Sequence, residues 1–108
     1  MVQDALKMPS GGSIRIGAGQ ITDDSELAMC QIHALTNLNP VDGFPAENML
    51  FWYRKWEDTN PFGIGYTTIR ALRMRKNYTL EQYIQRVDLS NYESMANGSL
   101  MRVTPLCV

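Results

Sequence analysis

The sequence predicts an all-α fold, and three observations carry that prediction. Apolar residues recur three and four positions apart in successive segments, the period of one helix face. Two segments open with a capping-box spacing, Asp23 before Glu26 and Thr79 before Gln82. No strand-turn-strand alternation and no internal repeat breaks the pattern. The expected architecture is a helical bundle in one small domain, residues 1–108, with residues 1–16 as an irregular lead-in.

Within residues 1–20, Pro9-Ser10-Gly11-Gly12 breaks any helix begun at Asp4. Ser13-Ile14-Arg15-Ile16 is at most a short extended piece. A first helix is expected from Asp23 to about Leu38, with Leu27, Cys30, Ala34, Leu35 and Leu38 on its apolar face. Asn37-Leu38-Asn39-Pro40 stops it, because the residue before a proline avoids the helical region. Pro45 suits the first turn of a second helix, ending near Trp56. Its stripe is Met49, Leu50, Tyr53 and Trp56, with Trp52 beside it, and these aromatics read as core. Asn60-Pro61-Phe62-Gly63-Ile64-Gly65 is a loop, and Thr67-Thr68 opens a third helix carrying Ile69, Leu72 and Met74 or Lys76. The basic residues Arg70, Arg73, Arg75 and Lys76 read as a solvated face. Thr79 caps a short fourth helix with Leu80, Tyr83, Ile84 and Val87 inward. Residues 88–96 read as polar loop, and Leu100-Met101-Arg102-Val103 as the start of a fifth helix.

Composition narrows the function classes. With a formal net charge of -1, nothing suggests nucleic-acid binding. Hydrophobic residues make up 44%, which fits a globular chain. No apolar run approaches the ~20 residues that span a bilayer, so no membrane partner is expected. The start, Met1-Val2-Gln3-Asp4-Ala5-Leu6-Lys7, lacks the blocks of a signal peptide, and two cysteines make no disulfide framework. A reduced intracellular, cytoplasmic setting is the expectation.

Three constellations could carry chemistry. Thr22-Asp23-Asp24 stands where a glycine-rich lead-in, residues 11–19, becomes a helix. The backbone there is not yet helical, so the three side chains could converge on a hard divalent cation. The alternative is that Asp23 caps the helix and Asp24 is solvated. Asn97-Gly98-Ser99 at a helix start could take an anion, or be an ordinary cap after a glycine turn. Pro61-Phe62-Gly63-Ile64-Gly65-Tyr66-Thr67-Thr68 could offer backbone contacts to a ligand, or simply connect helices. His33 is the single histidine and lies off the apolar stripe, which gives little support to a zinc site or a serine triad. Cys30 reads as core.

Together these segments resemble the ADP-ribosylglycohydrolase family, which includes the J1 crystallins. Thr22-Asp23-Asp24-Ser25 resembles its Thr-Asp-Asp-Thr/Ser motif. Residues 61–68 resemble its Pro-x-x-Ile-Gly-Asn-Thr-Thr loop, with Tyr66 in place of Asn. Asn97-Gly98-Ser99-Leu100-Met101-Arg102 resembles its Asn-Gly-Ser-Leu-Met-Arg segment, and order and separation also agree. The resemblance runs from about Gly17 to the C-terminus. It implies an all-helical bundle holding two magnesium or manganese ions, and hydrolysis of the glycosidic bond joining ADP-ribose to a modified side chain or conjugate. It implies Thr22, Asp23 and Asp24 as metal ligands, and Gly65, Asn97, Gly98 and Ser99 as residues facing ADP-ribose. It names no catalytic acid or base here.

Two family segments are not found in the sequence: a leading Gly-Asp-Ala-Leu-Gly type within residues 1–20, and a later Asp-x-Asp-Thr type supplying further metal ligands. The chain therefore resembles a central slice of the family domain, incomplete as a bundle. The expected partners are ADP-ribose or an ADP-ribosylated protein, and a complementary chain or self-association. A non-catalytic, crystallin-like or degenerate ADP-ribose binder, or a fragment needing its other half, is the alternative. An apolar stripe exposed to solvent is expected as well.

Overall fold

A computed structural model describes residues 2–11, 15–36, 38–73 and 77–107. The fold is all-α. Its α-helices are α1 (Val2–Leu6), α2 (Asp23–Leu35), α3 (Ala46–Glu57), α4 (Tyr66–Leu72) and α5 (Leu80–Asn91). Short 3-10 turns cover Pro40–Asp42, Leu100–Arg102 and Thr104–Cys107. Among the described residues the sole extended pairing is an antiparallel bridge between Gly11 and Ile16. No helix among them is long and apolar enough to cross a membrane.

The lead-in departs from the irregular reading. Val2–Leu6 forms a single helical turn before Met8, Pro9 and Gly11 end it. Gly19 N then bonds Met8 O at 3.0 Å, which brings Gly19 back beside the end of α1. Ser13 and Ile14 lie outside the described residues.

Helices α2 and α3 make an antiparallel pair held by three polar rungs. Trp56 Nε1 donates to Glu26 Oε2 at 2.7 Å, Gln31 Nε2 to Tyr53 Oη at 2.7 Å, and Asn48 Nδ2 to Ala34 O at 2.9 Å. The residue numbers fall on α3 as they rise on α2, which fixes the relative direction. Between rungs, His33 stacks on Trp52 with centroids 4.6 Å apart. His33 is exposed, as its place off the stripe predicts.

The core gathers Leu27 and Cys30 of α2, Leu50 and Trp56 of α3, Leu72 of α4 and Tyr83 of α5. Leu27 is fully buried, a contribution of roughly 2 kcal/mol over its exposed state. Ile64, Leu80, Val87 and Met101 pack around this cluster. Helix α4 lies on α5, and the two C-terminal 3-10 turns pack against α2. On the opposite side of α2, Met29 and Ile32 face solvent, as do Phe51 on α3 and Ile84 and Leu89 on α5.

Several boundaries differ from the sequence reading. Helix α2 stops at Leu35, because Thr36 turns extended and its Oγ1 binds Ile32 O at 2.7 Å. Leu38 is therefore outside the helix, and Asn37 is not among the described residues. Helix α5 continues to Asn91 through part of the expected loop. Ser90 Oγ binds Arg86 O at 2.6 Å, so its hydroxyl is satisfied within the helix. The fifth helix is two 3-10 turns instead, and Ser99 makes no side-chain cap. The Thr79/Gln82 capping box is formed in both directions, at 3.3 and 3.1 Å. Of the basic run, Arg70 is exposed and Arg73 pairs with Glu57 at 2.8 Å, while Arg75 and Lys76 lie outside the described residues.

Candidate functional site

The start of α2 does not form the Asp23/Glu26 capping box. Thr22 is the N-cap, its side chain makes no capping bond, and Asp23 is the first helical residue. Glu26 cannot reach back because its carboxylate is engaged by Trp56 across the α2–α3 interface. Asp23 shares its face with Leu27, Cys30 and Ala34, one helical repeat apart, and is only 9% exposed. Asp24, the next residue, is exposed. The adjacent carboxylates thus stand on different sides of the helix start.

Asp23 is buried as a residue, but its carboxylate oxygens are not among the buried, unpartnered side-chain atoms of the described residues. Thr22 adds a hydroxyl next to it in the chain, while the Asp24 carboxylate stands on the other side of the helix start. That donor set fits part of a magnesium or manganese site, since these ions bind one or two carboxylates and keep several waters. Among the described residues, no group of three or more His, Cys, Asp or Glu side chains could hold a metal. Further donors would have to be water or groups other than these.

A second feature lies between α4, α5 and the turn at residues 97–99. It is a cavity of about 220 Å³, lined by Thr67, Thr68 and Ala71 of α4, Val87 and Asn91 of α5, and Ser94, Ala96, Gly98, Ser99 and Arg102. Two motif segments, residues 61–68 and 97–99, meet here. A Cβ on Gly98 would stand 3.2 Å from Thr68 Oγ1, so the turn approaches α4 as closely as glycine allows. Thr68 itself is buried. Asn91 and Arg102 both line the cavity, and Asn91 Oδ1 and Arg102 Nη1 are buried without a hydrogen-bond partner among the described residues.

The candidate ligand residues divide accordingly. Gly98 and Ser99 line the cavity. Gly65 is the N-cap of α4, one residue before Tyr66, and is open to solvent. Asn97 accepts Met101 N through its carbonyl at 3.0 Å, closing the turn. Thr22, Asp23 and Asp24 do not line this cavity.

Sequence reasoning missed Asn91 and Arg102 at this site. Asn91 was hidden in an expected loop, and Arg102 in an expected helix start. The available signal for Arg102 was its place at the end of the Asn97-Gly98-Ser99-Leu100-Met101-Arg102 segment.

Burial also shapes two titrating groups behind the cavity. It pushes the Cys30 thiol up, with Glu26 adding to the rise and Arg102 opposing it. It pushes the Tyr83 phenol up to about 12, against the pull of Arg54 and Arg102. Arg54 stands 5.3 Å over the Tyr83 ring, and Arg102 5.0 Å over the Tyr53 ring.

Comparison with known proteins agrees with the family resemblance of the sequence. The ADP-ribosylglycohydrolase family model matches residues 2–108. An ADP-ribosyl glycohydrolase of Acanthamoeba polyphaga mimivirus is 32% identical over 92 residues, covering 85% of this chain and 26% of that protein. An ADP-ribosylarginine hydrolase of Pseudomonas putida is 29% identical over 109 residues, covering 94% of this chain and 27% of that protein. The chain spans about a quarter of the length of these curated relatives. No solved structure matches significantly. The family match begins at residue 2, not near Gly17, so α1 lies within it.

Proposed function

The chain belongs to the ADP-ribosylglycohydrolase family, matched from residue 2 to residue 108, and from that premise we propose that it handles ADP-ribose attached to a side chain or conjugate and serves hydrolysis of that glycosidic bond. The observation that carries the reading is the meeting of residues 61–68 with residues 97–99 around one polar cavity. Gly98 lets the turn pack close against Thr68 of α4, and Ser99 adds a hydroxyl at the wall. Gly65 sits at the start of α4, two residues before Thr67 on that wall.

Thr22, Asp23 and Asp24 would hold magnesium or manganese. Such an ion, when bound, supplies Lewis acidity and lowers the pKa of a bound water. The chain's own part is to hold Asp23 on the inner face of a helix whose direction is set by the rungs to α3. Glycosidic cleavage passes through an oxocarbenium-like state, which nearby oriented oxygens stabilise. The name of the Pseudomonas relative supports arginine as the acceptor.

A second reading follows from the small donor set at α2. With two carboxylates and one hydroxyl, the chain could take ADP-ribose without turning it over, as a non-catalytic relative or as one half of a site completed by a complementary chain. The two readings separate in one experiment series. Thermal unfolding is followed with Mg²⁺, Mn²⁺ and ADP-ribose, singly and together, and released ADP-ribose is measured from ADP-ribosyl-arginine and ADP-ribosyl-serine peptides. Ligand at about a hundred times its Kd adds roughly 2.7 kcal/mol, a shift easily seen. Stabilisation with release supports the hydrolase; stabilisation by ADP-ribose without release supports the binder. No response to either ligand would defeat both.

A further inference from the structure

We propose that Arg102 is a positioning residue: through the ring of Tyr53 it holds the Asn97-Gly98-Ser99 turn at a fixed place against the antiparallel α2–α3 pair. The inference rests on the ADP-ribose reading only for what the turn is for. The geometry behind it stands apart from that reading.

The links run in sequence. Met101 N bonds Asn97 O at 3.0 Å, so the turn and the 3-10 segment Leu100–Arg102 move as one piece. The Arg102 guanidinium carbon lies 5.0 Å over the Tyr53 ring of α3. The hydroxyl of that ring accepts 2.7 Å from Nε2 of Gln31, a buried residue of α2. One turn along α3, Trp56 holds Glu26. Tyr53 and Trp56 are three residues apart and share a helix face. The same face of α3 therefore fixes α2 at two points and the turn at a third. Gln31 and Glu26 lie on the helix that begins at Asp23, so the turn and residues 22–24 share one frame.

A guanidinium held over a ring is directional without being quenched. Nη1 of Arg102 is buried and keeps no hydrogen-bond partner among the described residues. A carboxylate would have claimed it; the ring fixes the plane and leaves that donor unspent. Opposite, Met101 packs on the core from the neighbouring position of the same turn. Arg102 and Met101 together clamp a segment that has no regular helix to hold it.

Hydrogen exchange and proton NMR on the full chain test this. In the wild type, the Arg102 side-chain protons should be displaced upfield by the Tyr53 ring current. Arg102→Met and Tyr53→Leu should speed exchange of the Met101 amide about tenfold, while the Tyr83 amide of α5 stays within about twofold. Tyr53→Phe, which keeps the ring, should leave Met101 within about twofold of wild type. ADP-ribose affinity should fall in the first two variants with the thermal midpoint of Arg102→Met little changed, a split that a purely structural residue would not give. Should Tyr53→Leu fail to fold, Arg102→Met reads the same contact from its other side. Unshifted Arg102 protons, or unchanged Met101 exchange in Arg102→Met, would overturn the proposal. A wild-type chain that ignores ADP-ribose would remove the functional reading, and the exchange result would still decide the positioning.

Discussion

Trp56 Nε1 donates a 2.7 Å hydrogen bond to Glu26 Oε2, joining the first turn of α2 to the last turn of α3. The indole is 8% exposed, so its N–H has little access to water if the carboxylate is lost. Glu26→Ala should cost about 2 kcal/mol, the range for a hydrogen bond to a charged group plus a buried orphan donor. Glu26→Gln keeps an acceptor oxygen and should cost less than half of that, roughly under 1 kcal/mol. Urea unfolding of the two variants checks the order; equal loss in both would mean that the contact does not matter.

At Thr79, by contrast, the capping bonds are local. Thr79 Oγ1 accepts Gln82 N at 3.3 Å, and Gln82 Oε1 accepts Thr79 N at 3.1 Å. Thr79→Ala removes one arm and should destabilise by about 1 kcal/mol. Thr79→Ser should hold most of it. Circular dichroism melts of the pair measure the difference, and identical melts for all three proteins would contradict it.

These two starts explain how much could be read in advance. Asp23/Glu26 and Thr79/Gln82 have the same spacing, and one box forms while the other does not. Local chemistry predicted Thr79 because nothing competes for Gln82. Glu26 has a competitor thirty residues away, Trp56, which no local pattern reveals. The same division runs through the fold. Helices α2, α3 and α5 were legible from the period of Leu27, Cys30 and Ala34, of Met49 and Leu50, and of Leu80 and Tyr83. The single turn at Val2–Leu6 was not, because five residues carry too little periodicity. The cavity beside Gly98 could not be seen either. Its walls come from residues 67–71, 87–91 and 94–102, brought together only by tertiary packing.

Gly98 offers a steric test of that cavity. An alanine there would place its Cβ 3.2 Å from Thr68 Oγ1, tight enough that the threonine or the turn must give by a few tenths of an ångström. Gly98→Ala should lower stability by about 1 kcal/mol or less and weaken ADP-ribose binding several-fold, about fivefold. Adding Thr68→Ala opens the space and should restore part of the affinity. Calorimetric titration of the single and double variants decides; an affinity in Gly98→Ala equal to wild type would move the ligand elsewhere.

Tyr83 predicts behaviour at high pH. Burial raises its phenol to about 12, above the ordinary value of 10.0. The neutral form is thus favoured by folding, and between the two values the unfolded chain binds fewer protons than the folded one. Stability from this group is complete below pH 10 and falls as pH rises towards 12, by roughly 2 kcal/mol in all. Cys30, also raised by burial, begins the same loss lower, above its ordinary 9.0. Urea midpoints across this range should flatten above pH 10 in Tyr83→Phe and between 9 and 10 in Cys30→Ala, relative to wild type. A wild-type midpoint that stays level through pH 11 would refute the assignment to Tyr83.

Asp23 and Asp24 are neighbours with opposite surroundings, one 9% exposed and one in solvent. Capping does not explain either, since Thr22 occupies the N-cap and Glu26 is bound to Trp56. Asp23→Asn keeps the shape at the helix start, so the fold should hold, within about 1 kcal/mol. If residues 22–24 serve a cation, the same change should abolish stabilisation by Mn²⁺, and Asp24→Asn should weaken it, while far-ultraviolet circular dichroism stays that of wild type. Manganese relaxation of water protons reads binding without reference to activity. A full Mn²⁺ response in Asp23→Asn would place the ion away from α2. A loss of helix in the same variant would instead make the carboxylate a structural element, satisfied by a partner that only the folded chain supplies.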